Sequence, residues 1–360
     1  MLYRTQNPHG GDLYTRPVRL DFSANINPYG TPEAVKAAVR NCVDELCHYP
    51  DPNCRELITA IAAYEQVPAD AILCGNGAAE LIYAYAFGRR PARALVTAPS
   101  FCEYTDALTA AGCRVERYLL HPETQFDIDE KFCDFLETWQ GQSVFLCSPN
   151  NPTGRLIPPE ILRRVGDICR KKGLDLFLDE TFLDLTDGGV SGKALLDSLP
   201  GLVILKAFTK SYGMAGLRLG YCLSSPEVLS AMAAVSQVWN VSIPAQRAGI
   251  AALKCGDFRA RAKDTIRVQR SLLIRELERL GLTVIPGQAN YLLFFSKAEL
   301  KAPLLERGIQ IRDCANYPGL GSGWYRIAVK LPEENRILLE EMEKILRSDA
   351  YQNRIVPKFP

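Results

Sequence analysis

Four short and continuous apolar runs, with helix-like segments between them, constrain the fold of this chain more than any other feature. They lie in ARALVTAPS (92–100), SVFLCSPNNPTG (143–154), LDLFLDE (174–180) and GLVILKAFTK (201–210). Strands that are apolar throughout, instead of alternating with polar residues, are typical of a sheet covered on both faces. The alternation of such strands with helices predicts an α/β fold with a doubly wound, mostly parallel sheet.

Residues 159–172 predict one of the covering helices. The segment begins at Pro159, which is tolerated in a first helical turn, and ends before Gly173, a residue favoured just past helix ends. Apolar residues recur at helical spacing between these limits, and two lysines lie in the last turn.

The pattern changes near residue 244, where we expect a smaller α+β domain over 244–360 after a large domain over 46–243. A long charged helix is predicted at about 257–280. Further strands are predicted in LTVIPGQANYLLFF (282–295), GIQIRDC (308–314) and WYRIAVK (324–330), and a helix in PEENRILLEEMEKIL (332–346). Residues 1–45 contain a glycine-rich arm and a helix expected to be capped by Thr31, and are predicted to join the smaller domain.

The charge balance and the cysteines narrow the class of protein. A formal net charge of +1 and the absence of long runs of like charge argue against nucleic-acid binding. No apolar stretch reaches the ~18 residues of a membrane span, and the N-terminal segment lacks the features of a secretion signal. The twelve cysteines are scattered without a C-x-x-C pair, which predicts reduced thiols in a cytoplasmic protein and no metal site.

A turn after the strand that ends at Cys74 is a candidate phosphate site. In GNGAAEL (75–81), Gly77 permits a tight turn, and the free amides of Ala78 and Ala79 begin a helix. Taken alone, this segment is better explained as an ordinary glycine turn.

Polar residues follow the next strands in the same way, at the edge where doubly wound sheets bind ligands. Asn151 follows the second apolar run, Asp179 ends the third, and Lys210 and Arg218 follow the fourth. Each has a plain alternative, such as a turn amide or a helix-capping carboxylate. Together with the amides of Ala78 and Ala79, however, these groups match one ligand, pyridoxal phosphate. The amides match its phosphate, Asn151 its ring oxygen, Asp179 its ring nitrogen and Lys210 its aldehyde.

The motifs NPTG (151–154), DETF (179–182) and TK with GLRLGY (209–221) resemble those of the aspartate aminotransferase fold. This is fold type I of the pyridoxal-phosphate enzymes, and the resemblance extends over essentially the whole chain. It implies a seven-stranded sheet, a Schiff base on Lys210, a pyridinium partner in Asp179 and a ring-oxygen donor in Asn151.

The same resemblance implies the other cofactor contacts and a homodimer. The phosphate would be held by Gly77, Ala78, Ala79, Thr209 and Arg218. Phe101 would stack on the ring, with Tyr104 as the alternative, and Tyr49 would reach the cofactor of the neighbouring subunit. Two positions depart from the usual pattern, because Phe182 and Ala207 replace common hydroxyl-bearing residues.

Two families within this fold compete, the L-threonine-O-3-phosphate decarboxylases of cobalamin biosynthesis and the histidinol-phosphate aminotransferases. HGG (9–11), LDFSANINPYG (20–30), DETFLDL (179–185) and IRDCANYPGL (311–320) are similar to the decarboxylases. The resemblance implies a phosphorylated amino acid as substrate, held by His9, Asn27, Asn151, Arg312 and Arg326. An aminotransferase activity and serine phosphate as substrate stay open as alternatives, and a fused DNA-binding regulator of this fold is remote.

Overall fold

A computed structural model describes residues 9–15 and 17–348. Its strands, numbered in chain order, are β1 Leu20–Asp21, β2 Ile72–Gly75, β3 Arg93–Ala98, β4 Arg114–Leu119, β5 Ser143–Cys147, β6 Asp175–Asp179, β7 Leu202–Ala207, β8 Gly220–Leu223, β9 Thr283–Ile285, β10 Tyr291–Phe295, β11 Ile309–Gln310, β12 Arg312–Asp313 and β13 Trp324–Ala328. Its α-helices are α1 Glu33–Asn41, α2 Arg55–Glu65, α3 Ala78–Arg89, α4 Cys102–Ala110, α5 Glu130–Thr138, α6 Pro159–Lys172, α7 Phe208–Ser211, α8 Pro226–Ala233, α9 Ile243–Leu253, α10 Gly256–Arg279, α11 Lys301–Glu306 and α12 Pro332–Arg347.

A seven-stranded sheet in the order β2-β8-β7-β6-β5-β3-β4 forms the centre of the molecule. Only β8 runs antiparallel to its neighbours, so the predicted α/β fold with a mostly parallel seven-stranded sheet is confirmed. The four apolar runs form β3, β5, β6 and β7, and β5 and β7 are buried at every position. Because parallel strands end at the same edge, residues that follow β5, β6 and β7 come together.

The predicted covering helix is confirmed as α6. It ends at Lys172, and Gly173 follows in the left-handed conformation with a φ of 64°. The Gly173 amide donates to the carbonyl of Arg170, which satisfies part of the last helical turn. The long charged helix and the last helix are also found, as α10 and α12.

A second sheet, in the order β12-β13-β10-β9, packs its own hydrophobic core against α10 and α12. Phe22, from the N-terminal arm, lies in this core, and β1 pairs with β11. Val35 of α1 lies instead in the core of the large sheet. The N-terminal residues therefore contact both cores, and the domain limits at residues 45 and 243 stay a prediction.

The expected cap of α1 by Thr31 is wrong. Pro32 occupies the cap position without a side-chain bond, and the Thr31 hydroxyl donates to the carbonyl of Gly213 at 2.7 Å. Thr31 therefore links the N-terminal segment to the turn after α7.

Within the described ranges, no helix combines the length and the apolar character that crossing a membrane requires.

Candidate active site

A cavity of about 240 Å³ opens at the carboxyl edge of the large sheet. Its lining includes His9, Ser23, Asn25, Ala78, Ala79, Phe101, Tyr104, Asn151, Asp179, Thr181, Phe182, Thr209, Lys210, Arg218, Arg312, Tyr317 and Arg326. Most of the residues singled out in the sequence thus meet in one place, although they are spread over more than three hundred positions.

The turn before α3 forms a cradle with Arg218. Gly77 has a φ of +81°, and a Cβ at this position would collide with the Arg218 guanidinium. Glycine therefore lets the guanidinium approach the start of α3, where the first helical amides, those of Ala78 and Ala79, have no intrahelical acceptor. Arg218 forms no ion pair with the residues that the structure describes. A guanidinium beside free helix-terminal amides suits a phosphate.

Lys210 projects from the short helix α7 into the cavity. Burial, together with the nearby cations Arg326 and Arg218, lowers the pKa of its amine to about 8. Its Nζ lies 5.6 Å from the centroid of the Phe182 ring. Because a neutral amine is the nucleophilic form, Lys210 is suited to attack a carbonyl near neutral pH.

Asp179 is the last residue of β6 and is 4% exposed. Its Oδ2 accepts a hydrogen bond from the Tyr104 hydroxyl at 2.5 Å, and its Oδ1 accepts from the Thr181 amide at 2.8 Å. Burial raises the pKa of this carboxyl group, while the bonds from Tyr104 and Thr181 and the charge of Lys210 oppose the rise. Because burial disfavours the charge of this carboxyl group, a cationic ligand group bound beside it would stabilise the ionised form.

Arg326 on β13 is buried beside Asn151. One terminal nitrogen donates to Asn151 Oδ1 and the other to the Ser23 carbonyl at 2.7 Å. Its Nε is buried and lacks a hydrogen-bond partner among the described residues. A buried guanidinium with an unsatisfied donor favours an anionic ligand.

Arg312 on β12 is half-buried at the same cavity and is held by neighbouring side chains. Its Nη2 donates to Asn316 Oδ1 at 2.8 Å, and its guanidinium lies 5.3 Å from the Tyr317 ring centroid. The segment after β12 forms a turn, in which the Tyr317 amide donates to the Cys314 carbonyl.

His9 lies at the rim of the cavity. Its Nε2 is 2.9 Å from Glu103 Oε1, and its ring centroid is 5.5 Å from that of Phe101. Glu103 was not identified from the sequence, although it belongs to α4 and lies two residues after Phe101.

Asn27 and Tyr49, both named from the sequence, lie away from the cavity, and Gly77 acts only through the cradle described above. Asn27 Nδ2 donates to the Ser211 carbonyl at 2.8 Å, and Asn27 Oδ1 accepts from the Tyr29 amide. Asn25, two residues earlier, lines the cavity instead, and its buried Oδ1 lacks a partner among the described residues. Tyr49 lines a different cavity, and it is absent from the lining of the cavity that contains Lys210.

These groups fit pyridoxal phosphate. The cradle of Arg218, Ala78 and Ala79 would hold its phosphate, Asp179 would hold its ring nitrogen, and Lys210 would bind its aldehyde. The cradle depends on Gly77, since any larger residue would displace the guanidinium. Phe182 contributes no hydroxyl group, so the cofactor would be held with fewer donors at that position.

Comparisons with known proteins agree on one family. The family model for aminotransferase class I and II matches residues 18–342. A threonine-phosphate decarboxylase of Salmonella typhimurium is 38% identical over 336 residues, which cover 92% of this chain and 92% of that protein.

Solved structures give the same result. A histidinol-phosphate aminotransferase from Clostridium acetobutylicum has a TM-score of 0.84 at 30% identity and covers 91% of this chain and 99% of that chain. An L-threonine-O-3-phosphate decarboxylase from Porphyromonas gingivalis has a TM-score of 0.82 at 26% identity, and covers 91% of this chain and 100% of that chain. The chain therefore belongs to the aminotransferase class I and II family, and its cofactor is pyridoxal phosphate.

Proposed function

We propose that this chain is a carboxy-lyase that converts L-threonine O-3-phosphate to CO2 and (R)-1-aminopropan-2-yl phosphate, the linker of the cobalamin nucleotide loop. The observation that carries the proposal is the pair of arginines, Arg312 and Arg326, that line the cavity of Lys210. The similarity to the threonine-phosphate decarboxylase of Salmonella typhimurium supports the same reaction.

The substrate's two anionic groups match the two arginines. Arg312 and Arg326 are direct cross-strand partners, so their side chains project from the same face. Like charges in this arrangement repel, and a ligand with a carboxylate and a phosphate relieves that repulsion. We assign the phosphate to Arg312, with His9 beside it, and the carboxylate to Arg326 and Asn151.

Bound pyridoxal phosphate supplies an electron sink for the electron pair that CO2 leaves on Cα. Lys210 would carry the cofactor between turnovers, and Lys210 or a water would return a proton to Cα after CO2 has left. Asp179 keeps the proton on the ring nitrogen, because an ionised carboxylate beside that nitrogen favours its charged form.

The two arginines also determine which bond at Cα breaks. A substrate held at both ends cannot rotate freely, so the protein selects the bond that is aligned with the electron sink. A carboxylate held alone would leave the C–H bond aligned for amine transfer. With the phosphate anchored at Arg312, we propose that the bond to the carboxylate takes that position.

We further propose a cytoplasmic homodimer with shared active sites. Tyr49 is 77% exposed and stacks on Trp239 with ring centroids 4.5 Å apart. An exposed aromatic pair of this kind suits an interface.

Neither the Tyr49→Ala variant nor the Lys210→Ala variant should form a complete active site when it dimerises only with itself. Mixed dimers of the two should regain one working site, whereas inactive mixtures would contradict the shared site.

The experiment that tests the proposed substrate compares CO2 release from threonine phosphate, serine phosphate and threonine. We expect release from the phosphorylated amino acids and little from threonine, because threonine lacks the anion for Arg312. Equal turnover of threonine would contradict the proposal.

Amine transfer from histidinol phosphate is the alternative function. The observation that favours it is the likeness of the fold to that of the Clostridium acetobutylicum enzyme.

A further inference from the structure

The bond between Tyr104 and Asp179 joins two elements that are distant in sequence. Tyr104 belongs to α4 and is 1% exposed, and its hydroxyl donates to Asp179 Oδ2 at 2.5 Å. The other carboxylate oxygen accepts from the Thr181 amide, so each oxygen accepts from at least one donor. Two donors on different oxygens fix both the position and the plane of the carboxylate.

Tyr104 is itself held in place by aromatic neighbours. Its ring centroid lies 5.8 Å from that of Phe145 and 5.7 Å from that of Phe101, which meets it edge to face. Burial and the nearby charge of Asp179 raise the pKa of the Tyr104 hydroxyl well above its ordinary value. The hydroxyl therefore stays protonated and can always donate.

The charge on Asp179 depends on this donor. Burial raises the pKa of the carboxyl group, and the Tyr104 bond is the largest of the effects that oppose it. No described residue forms an ion pair with Asp179 at bonding distance. Asp179 therefore relies on hydrogen bonds for its charge, with Lys210 acting only from farther away.

We propose that Tyr104 is a positioning residue that keeps the Asp179 carboxylate ionised and turned toward the cavity. The proposal rests on the function proposed above, in which that carboxylate holds the ring nitrogen of the cofactor. Tyr104 acts on the reaction only through Asp179.

A second buried tyrosine provides a matched control. Tyr85 packs against Phe177 and, like Tyr104, donates to a carboxylate of β6, in this case Asp175 at 3.0 Å. Asp175 lies at the other end of the strand, and it forms an ion pair with Arg89 at 2.9 Å. Tyr85→Phe therefore removes an equivalent buried hydroxyl away from the cavity.

The test is the pH titration of the Asp179 carboxyl group in the full chain freed of cofactor. The signal is the infrared difference between each protein and its Asp179→Asn counterpart. We expect Tyr104→Phe to move the midpoint to higher pH by about one pH unit or more, because a donor to the charged form is lost. Tyr85→Phe should leave the midpoint in place.

Replacement of Tyr104 by 3-fluorotyrosine keeps the ring and strengthens the donor, so the midpoint should move to lower pH. This second variant gives a result even if Tyr104→Phe does not fold. An unchanged midpoint in either Tyr104 variant would overturn the proposal.

Turnover separates this proposal from the one on which it rests. With cofactor bound, we expect Tyr104→Phe to lower kcat about tenfold while the KM for threonine phosphate stays within about twofold. If Asp179→Asn keeps full turnover, the proposed role of Asp179 fails. If Asp179→Asn is inactive while Tyr104→Phe titrates and turns over as the unmodified protein does, only the role of Tyr104 fails.

Discussion

Arg312 and Arg326 face each other as direct partners on the antiparallel strands β12 and β13, and both line the cavity that contains Lys210. Like charges at directly opposite positions destabilise a sheet. The arrangement is accordingly one that a doubly anionic ligand stabilises. It also places the two cations within reach of one small substrate.

Arg312→Ala is expected to weaken the binding of threonine phosphate without affecting the cofactor. Loss of a charge-assisted contact to a phosphate costs roughly 2–5 kcal/mol, so KM should rise about thirtyfold or more. Steady-state kinetics and the visible spectrum measure the two effects. Arg336→Ala is the control, because Arg336 lies on the surface of α12 and pairs with Glu333. Unchanged kinetics would show that Arg312 does not bind the substrate.

Lys210→Ala is expected to abolish covalent attachment of the cofactor while phosphate-mediated binding persists. The cradle formed by Arg218 and the start of α3 does not depend on the lysine side chain. The visible absorption of the lysine-bound cofactor should disappear, and borohydride should fix no cofactor to the chain. Cofactor trapped on another lysine would refute the assignment.

The attachment of added cofactor to Lys210 should depend on pH. The pKa of this amine is lowered to about 8, and only the neutral form attacks an aldehyde. In protein freed of cofactor, the rate of attachment should rise as pH increases through about 8 and level off above it. Stopped-flow absorbance measures this rate. A midpoint near the ordinary value of 10.5 would show that burial and the cations Arg326 and Arg218 do not lower the pKa of this amine.

Gly77→Ala should weaken cofactor binding. The left-handed backbone costs a residue with a Cβ roughly 1–2 kcal/mol, and the new methyl group would displace the Arg218 guanidinium. The cofactor Kd should therefore rise about tenfold or more. Gly216→Ala is the matched control, since a Cβ there meets open space and Gly216 lies two residues from Arg218. Equal Kd values for the two variants would show that the cradle tolerates the change.

Much of the fold could be predicted because its signals are local. The apolar runs of β5, β6 and β7 are buried along nearly their whole length, so pattern alone identifies them as central strands. The start of α6 at Pro159 and its end before Gly173 likewise depend on adjacent residues.

The parts that could not be predicted depend on tertiary partners. Thr31 bonds to Gly213 instead of capping α1, because that carbonyl lies within its reach only after folding. Asn25 and Asn27 share one motif, and only the path of the backbone decides that Asn25 meets the cavity. The register that places Arg312 opposite Arg326 follows from strand pairing and has no local signal.

The measurement that decides between decarboxylation and amine transfer is the fate of threonine phosphate in the presence of 2-oxoglutarate. Purified protein with cofactor is incubated with both compounds, and CO2 and glutamate are measured against the threonine phosphate consumed. We expect one CO2 for each substrate molecule lost and no glutamate. Glutamate formation without CO2 would contradict the proposed function and make this chain an aminotransferase.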